Sequence, residues 1–228
     1  MHTERQAPSS EAFGKDPNSI LSNPLKDHSS WHLFQARSWI DFAKRSQIPS
    51  ALQYAAFELR YGLEYVLFEL LVMANEDFTF PQYQKCLGDP KQMKTMLGPY
   101  GANYENLARF TKILADLSPG WPPLRFWDIN ELFRLWGVAS SFLHFLGAHK
   151  HTFNSHEWFV KSLGQLDSIM EELWANLNSS IGTGILRPSN MYPEVRQAWE
   201  EFSSQKLSEE ALKIRLTLMQ PMLRRRSL

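Results

Sequence analysis

The 228-residue chain has one cysteine, Cys86, so it can form no internal disulfide and no cysteine-based zinc site. It has no excess of either charge: Lys and Arg total 24, Asp and Glu total 24. That balance removes the long-range attraction to phosphate on which strongly basic nucleic-acid scaffolds depend. It has no apolar run of the roughly 18 residues a membrane span needs. The densest apolar stretch, YGLEYVLFELLVMA, is interrupted by Glu64 and Glu69. The opening MHTERQAPSSEAFGKDPNS lacks the apolar core of a secretory signal. These absences together lead us to expect a cytoplasmic protein without membrane contact. The period-2 alternation of half-buried strands is also missing, whereas the helical period recurs throughout.

An all-α fold follows. Residues 1–28, rich in Ser, Pro, Asn and charge, read as an arm. A first helix is expected over Ser30–Gln47, with Pro49 just beyond its end. The second is the clearest: Leu52, Ala56, Leu59, Leu63, Val66, Leu70 and Met73 alternate steps of four and three. Tyr54, Tyr61, Tyr65 and Phe68 widen that stripe, which is the pattern of a helix central in a bundle. Pro81, Gly88, Pro90, Gly98 and Pro99 divide residues 75–100 into short pieces before a helix over Tyr104–Leu117.

Asp128 and Glu131 form a capping-box pattern, with Trp127 and Leu132 as a staple, opening a helix to about Leu146 and Gly147. Asn154 with Glu157, and Phe153 with Trp158, repeat the pattern at the next helix. Pro193 and Ser208 open two shorter helices, and Pro221 precedes a basic tail, Arg224–Arg226. The organisation expected is an arm over 1–28, a bundle over 29–180, and a C-terminal extension over 181–228.

Four histidines, His144, His149, His151 and His156, fall within SSFLHFLGAHKHTFNSHEW. Their spacing spreads them over a helix, a loop and the next helix, and no HExxH or i, i+4 pair occurs, so no metal site is expected. No cofactor motif stands out either. The glycines of IGTG follow a helix rather than a strand, and no GxxxxGK[ST] loop is present. His144 shares a strip of small residues with Gly137, Ser140, Ser141 and Gly147, with Arg134 on the same face. Such a strip admits a close helix or forms a shallow groove floored by an imidazole. Arg60 and Glu64, one turn apart on the second helix, form either an ion pair at the core margin or part of a polar site with His144.

YAAFELRYGLEYVLFELL, followed about 80 residues later by LWGVASSFLHF, resembles the HEPN superfamily (higher-eukaryote and prokaryote nucleotide-binding domains). Ala55, Ala56, Arg60 and Glu64 match its early helix, and His144 its later one. The resemblance implies a bundle of four to five helices, a nucleotide, RNA or protein partner, a homodimer, and a stress or defence setting in bacteria. Its catalytic members are metal-independent endoribonucleases in which four to six residues separate an Arg from the His that follows it. A cation and a proton carrier at one phosphodiester can stabilise charge and move a proton. Here Gly137, Val138 and Ala139 stand where that Arg is expected. Arg134 is ten residues from His144, about 15 Å along a helix axis. The sequence therefore favours a binding or regulatory member. An endoribonuclease using His144 with Arg60 or Arg134, and with Ser141 beside them, is the enzymatic alternative. In that alternative, Gly137, Ser141 and Gly147 provide a close dimer contact. The third reading is an interaction protein. Eight tryptophans and fifteen phenylalanines exceed what a modest bundle must bury, leaving some to line a partner surface.

Overall fold

Helix α1 (Ser29–Ser46) places Leu33, Ala36, Ile40 and Ala43 on one buried face, the i, i+3, i+4 spacing of an amphipathic helix. It ends with Gln47 at φ 55°, a left-handed terminating residue whose N–H donates to the Ala43 carbonyl at 2.9 Å. Pro49 then sits in the first turn of α2 (Pro49–Ala74), where its missing N–H costs no helical hydrogen bond. The computed structural model describes residues 29–75, 81, 90–118, 126–143, 155–177 and 185–226. Among them every regular element is helical: α1, α2, α3 (Pro90–Asp116), α4 (Ile129–Ser141), α5 (His156–Leu177), the 3-10 turn Pro188–Asn190, α6 (Pro193–Ser203) and α7 (Glu209–Arg226). The all-α class expected from periodicity is what is found.

The chain divides into two compact units. One joins residues up to Glu69 with Trp127–Ser180, and the other joins Leu70–Phe126 with Ile181–Leu228. The chain passes from one unit to the other after Glu69, after Phe126 and after Ser180.

In the first unit α1 and α2 form an antiparallel hairpin. Ser29 meets Glu69 at one end, and the Trp39 ring stacks on Tyr54 at 4.9 Å toward the other. α5 runs antiparallel along another side of α1, where Phe34 meets Trp174, Arg37 pairs with Glu171, and Lys44 pairs with Asp167 at 2.7 Å. From Gly62 to Leu70 every residue of α2 is buried, as its all-round apolar pattern foretells.

The second unit packs α3 against α6 and α7. Phe110 meets Trp199 edge-on at 5.5 Å, and Leu107, Val195, Ala198, Leu212 and Leu216 on the same three helices are buried. Buried Thr111 donates to the Leu107 carbonyl and accepts from the Leu186 N–H at 3.1 Å, which satisfies a loop amide.

Four expectations are corrected. Residues 90–116 form one continuous helix rather than short pieces: Pro90 is at its first position, and the one inner proline, Pro99, removes a single hydrogen bond from a helix whose later turns are well packed. α4 stops at Ser141 rather than near Leu146. There the Ser141 hydroxyl donates to the Val138 carbonyl at 2.7 Å, and the Phe142 N–H tightens onto Ala139, so the last turn is drawn off the α path. The cap of α5 is Ser155, whose hydroxyl accepts from the Trp158 N–H at 3.0 Å, and Asn154 lies outside the described residues. α7 continues through Pro221 to Arg226, so the basic segment is helical. The Gln220 amide donates to the Leu117 carbonyl and anchors the turn that Pro221 weakens. Asp128 caps α4 as expected, accepting from the Glu131 N–H at 3.1 Å. Ser208 caps α7 in the same way.

Candidate functional site

The polar groups of the first unit gather along α2. Arg60 and Glu64, i and i+4, lie on one side of that helix, and α4 brings Trp136 onto them. The Glu64 Oε1 accepts from Arg60 Nε at 3.0 Å and from the Trp136 indole N–H at 2.8 Å. The Arg60 guanidinium carbon stands 5.3 Å from the Trp136 ring centroid, within cation–π range. Glu64 is 8% exposed, so its charge is taken out of water and needs these donors. The result is a closed clasp of carboxylate, guanidinium and indole. It satisfies its own members and fastens α4 to α2.

Arg134 lies on the exposed side of α4. Its Nε donates to the Glu131 carboxylate at 2.7 Å, and its Nη2 reaches the other oxygen. This hydrogen bond, with the arginine's charge, holds the Glu131 carboxyl below the usual carboxylate range and the Arg134 guanidinium above its own. Gly137 and Ser141 are exposed along that face, whereas Ser140 turns inward and is buried. A Cβ added at Gly137 would meet nothing within 4 Å, so among the described residues no helix packs closely on this part of the small-residue strip. His144, His149, His151, Gly147 and Cys86 lie outside the described residues, and His156 is an exposed residue at the start of α5. Among the described residues no group of three or more His, Cys, Asp or Glu is placed to hold a metal ion.

Comparison with protein-family models, curated proteins and solved structures finds no match.

Two polar contacts were not anticipated from the sequence. His32 Nδ1 lies 2.8 Å from Glu58 Oε2, and its ring stacks on Tyr61 and Tyr65 at 5.6 and 5.1 Å. Buried Glu69 accepts from the Ser29 N–H at 3.0 Å and from its hydroxyl at 2.7 Å. It thus satisfies the start of α1, as an N-cap side chain would, from forty residues away. Both contacts join α1 to α2 and leave no local spacing to read. The signal that could have pointed to them is the interruption of the apolar α2 pattern by Glu58 and Glu69, since a carboxylate on a buried helix needs a partner.

Proposed function

We propose that this chain is a HEPN-like helical module without nuclease activity, acting in a regulatory role by recognising a protein partner. The observation that carries the reading is the state of its arginines. Arg60 is engaged by Glu64 and Trp136, and Arg134 by Glu131, so each cation that could accompany His144 is already paired. A phosphodiester binding Arg60 would have to compete with the buried Glu64 carboxylate, and that competition opposes binding. Arg37, Lys44, Arg109, Lys213 and Arg215 also stand within ion-pair distance of a carboxylate. With a net charge of zero, such pairing leaves little field to gather RNA. A stress-response or defence setting in bacteria is the context the HEPN resemblance suggests.

The test is incubation of total RNA in EDTA with the purified protein and with His144→Ala, together with a gel-shift titration at low and high salt. We expect intact RNA from both proteins and no salt-dependent shift. Metal-independent cleavage that disappears in His144→Ala would overturn the reading in favour of an endoribonuclease.

A further inference from the structure

Leu212 and Leu216, one turn apart, are buried on the side of α7 that packs against α6 and α3. The opposite side of a helix so placed is ordinarily polar. Here it carries Ile214 and Leu218, also one turn apart and 64% and 76% exposed, with exposed Pro221 next in the same register. Ile214 and Leu218 are the two most open large apolar side chains among the described residues. Thr217 beside them is exposed too, so nothing in the unit covers this stripe.

Charge changes along the same helix. Glu209 and Glu210 open α7, and Asp116 of α3 acts electrostatically on Lys213. Over 211–228 there are five bases, Lys213, Arg215, Arg224, Arg225 and Arg226, and no acid. Lys213 pairs with Glu209 at 2.8 Å, and Arg215 pairs with Glu201 of α6 at 2.6 Å. The acids thus gather at the start of the helix, and three arginines follow beyond their reach. The helix continues through Pro221 to Arg226, while Gln220 ties it to the Leu117 carbonyl just past α3. At about 3.6 residues per turn, position 225 falls in line with Ile214, Leu218 and Pro221, and positions 224 and 226 fall to either side.

We propose that the outward face of α7 docks on the surface of an anionic lipid leaflet, with Ile214 and Leu218 entering at the headgroup boundary and Arg224–Arg226 meeting the headgroup anions. An apolar stripe joined to a basic segment is the pattern of a helix that lies in the interface plane. Among the described residues no helix is long and apolar enough to cross a membrane, so the contact is with the surface of one leaflet. The short apolar runs of the sequence bear on spanning and not on docking of this kind. The chain's overall neutrality does not oppose it, because a patch at the surface acts within a Debye length of roughly 10 Å.

The same observations disfavour other occupants. α7 contains no aromatic residue, so it offers an RNA strand no ring on which its bases could stack. Two aliphatic side chains and a proline fall far short of the roughly 800 Å² that each partner buries in a specific protein interface. A leaflet asks less: a few inserted aliphatics, and basic residues that each strengthen attachment by about fivefold. The inference does not depend on the partner proposed above, because vesicle binding and RNA cleavage are measured separately.

The experiment is co-sedimentation of the full chain with large unilamellar vesicles, either of phosphatidylcholine alone or with about 30% phosphatidylserine, at low salt and at about 0.5 M salt. One variant carries Arg224→Gln, Arg225→Gln and Arg226→Gln, and another carries Ile214→Ser and Leu218→Ser. Val160→Ser, an exposed aliphatic of α5, is the control. All should keep the wild-type helical circular dichroism, because the changed residues lie outside the described core. We expect binding to the anionic vesicles only, released at high salt. The triple variant should weaken it by about a hundredfold and the double variant by about tenfold or more, while Val160→Ser changes nothing. A wild-type chain that leaves anionic vesicles unbound overturns the proposal. So does equal binding to phosphatidylcholine alone. So does a double variant that binds as the wild type does, which would leave bare charge as the cause. Capture of RNA or of a second copy through this face, with vesicles unbound, overturns it as well.

Discussion

Gly62→Ala separates two opposed effects whose balance can be worked from the structure. Within a helix, alanine replaces glycine with a gain of about 0.5–1 kcal/mol, because the unfolded chain loses freedom and the helix keeps its form. At position 62 the new Cβ would stand 2.7 Å from both Cγ and Cδ2 of Leu33 and 3.3 Å from the Leu33 backbone nitrogen. Comfortable carbon–carbon contact is at roughly 3.5–4.0 Å, so Leu33 or the whole of α1 must yield by about 1 Å. Leu33 is fully buried and has nowhere empty to go. Overpacking of this kind costs about 1–3 kcal/mol, so the net effect should be a loss of about 1–2 kcal/mol. Gly137 and Gly164 have nothing within 4 Å of an added Cβ, and both are exposed in helices. Alanine at either should stabilise by about 0.5–1 kcal/mol. The assay is urea unfolding of the three variants and the wild type, followed by tryptophan fluorescence and far-ultraviolet circular dichroism. Gly62→Ala should fall below the wild type, with the other two above it. A Gly62→Ala protein as stable as the Gly137→Ala protein would refute the argument that α1 and α2 meet at that glycine.

Two further outcomes follow from the polar contacts. Trp136→Phe keeps most of the ring but removes the indole donor to Glu64, and should cost about 1 kcal/mol. Glu64→Ala strands both donors and should cost about 2–3 kcal/mol in the same unfolding assay, so equal losses would contradict the clasp. On acidification, Glu131 and Glu209 matter through their direction of shift: hydrogen bonds from Arg134 and Lys213 hold both carboxyls below the usual 4.5. Their folded-state values are depressed, so their contribution is present above the ordinary carboxylate range and is lost as pH falls through the depressed values. Glu131→Gln with Glu209→Gln should therefore shallow the acid limb of a stability–pH profile and leave less salt dependence near neutrality. An unchanged limb would rule these two pairs out as contributors.

What the sequence made legible was local. The starts of α4 and α7 were readable because Asp128 and Ser208 act on amides three residues away. The burial of α2 was readable because its apolar residues recur on every side. The departures came where distant groups decide. The end of α4 at Ser141 depends on a hydroxyl choosing between water and a carbonyl, and the passage of α7 through Pro221 depends on Gln220 finding Leu117. The strip around Gly137 admitted either a close helix or a shallow groove, whereas Gly62 carried no signal of its own in the apolar run of α2. The close approach falls at Gly62, because such an approach is a property of two helices and is visible in neither alone. Of the candidate site, the Arg60–Glu64 pair was readable from its spacing, but its third member, Trp136, lies seventy-two residues from Glu64.

The bond from Ser29 to Glu69 has a bearing on how the first unit assembles. It closes a loop of forty residues, and the other contacts between α1 and α2 close shorter ones. The contact of Lys44 with Asp167, by contrast, spans 123 residues. Loop-closure entropy makes the longer link costlier by about 1 kcal/mol before any contact energy returns. The hairpin can therefore find its register while α5 is still remote. Its two ends, set by a carboxylate at one and a left-handed glutamine at the other, limit how far the two helices can slide in the meantime. α5 then docks on a surface whose pattern of Phe34, Arg37 and Lys44 has already been brought into line.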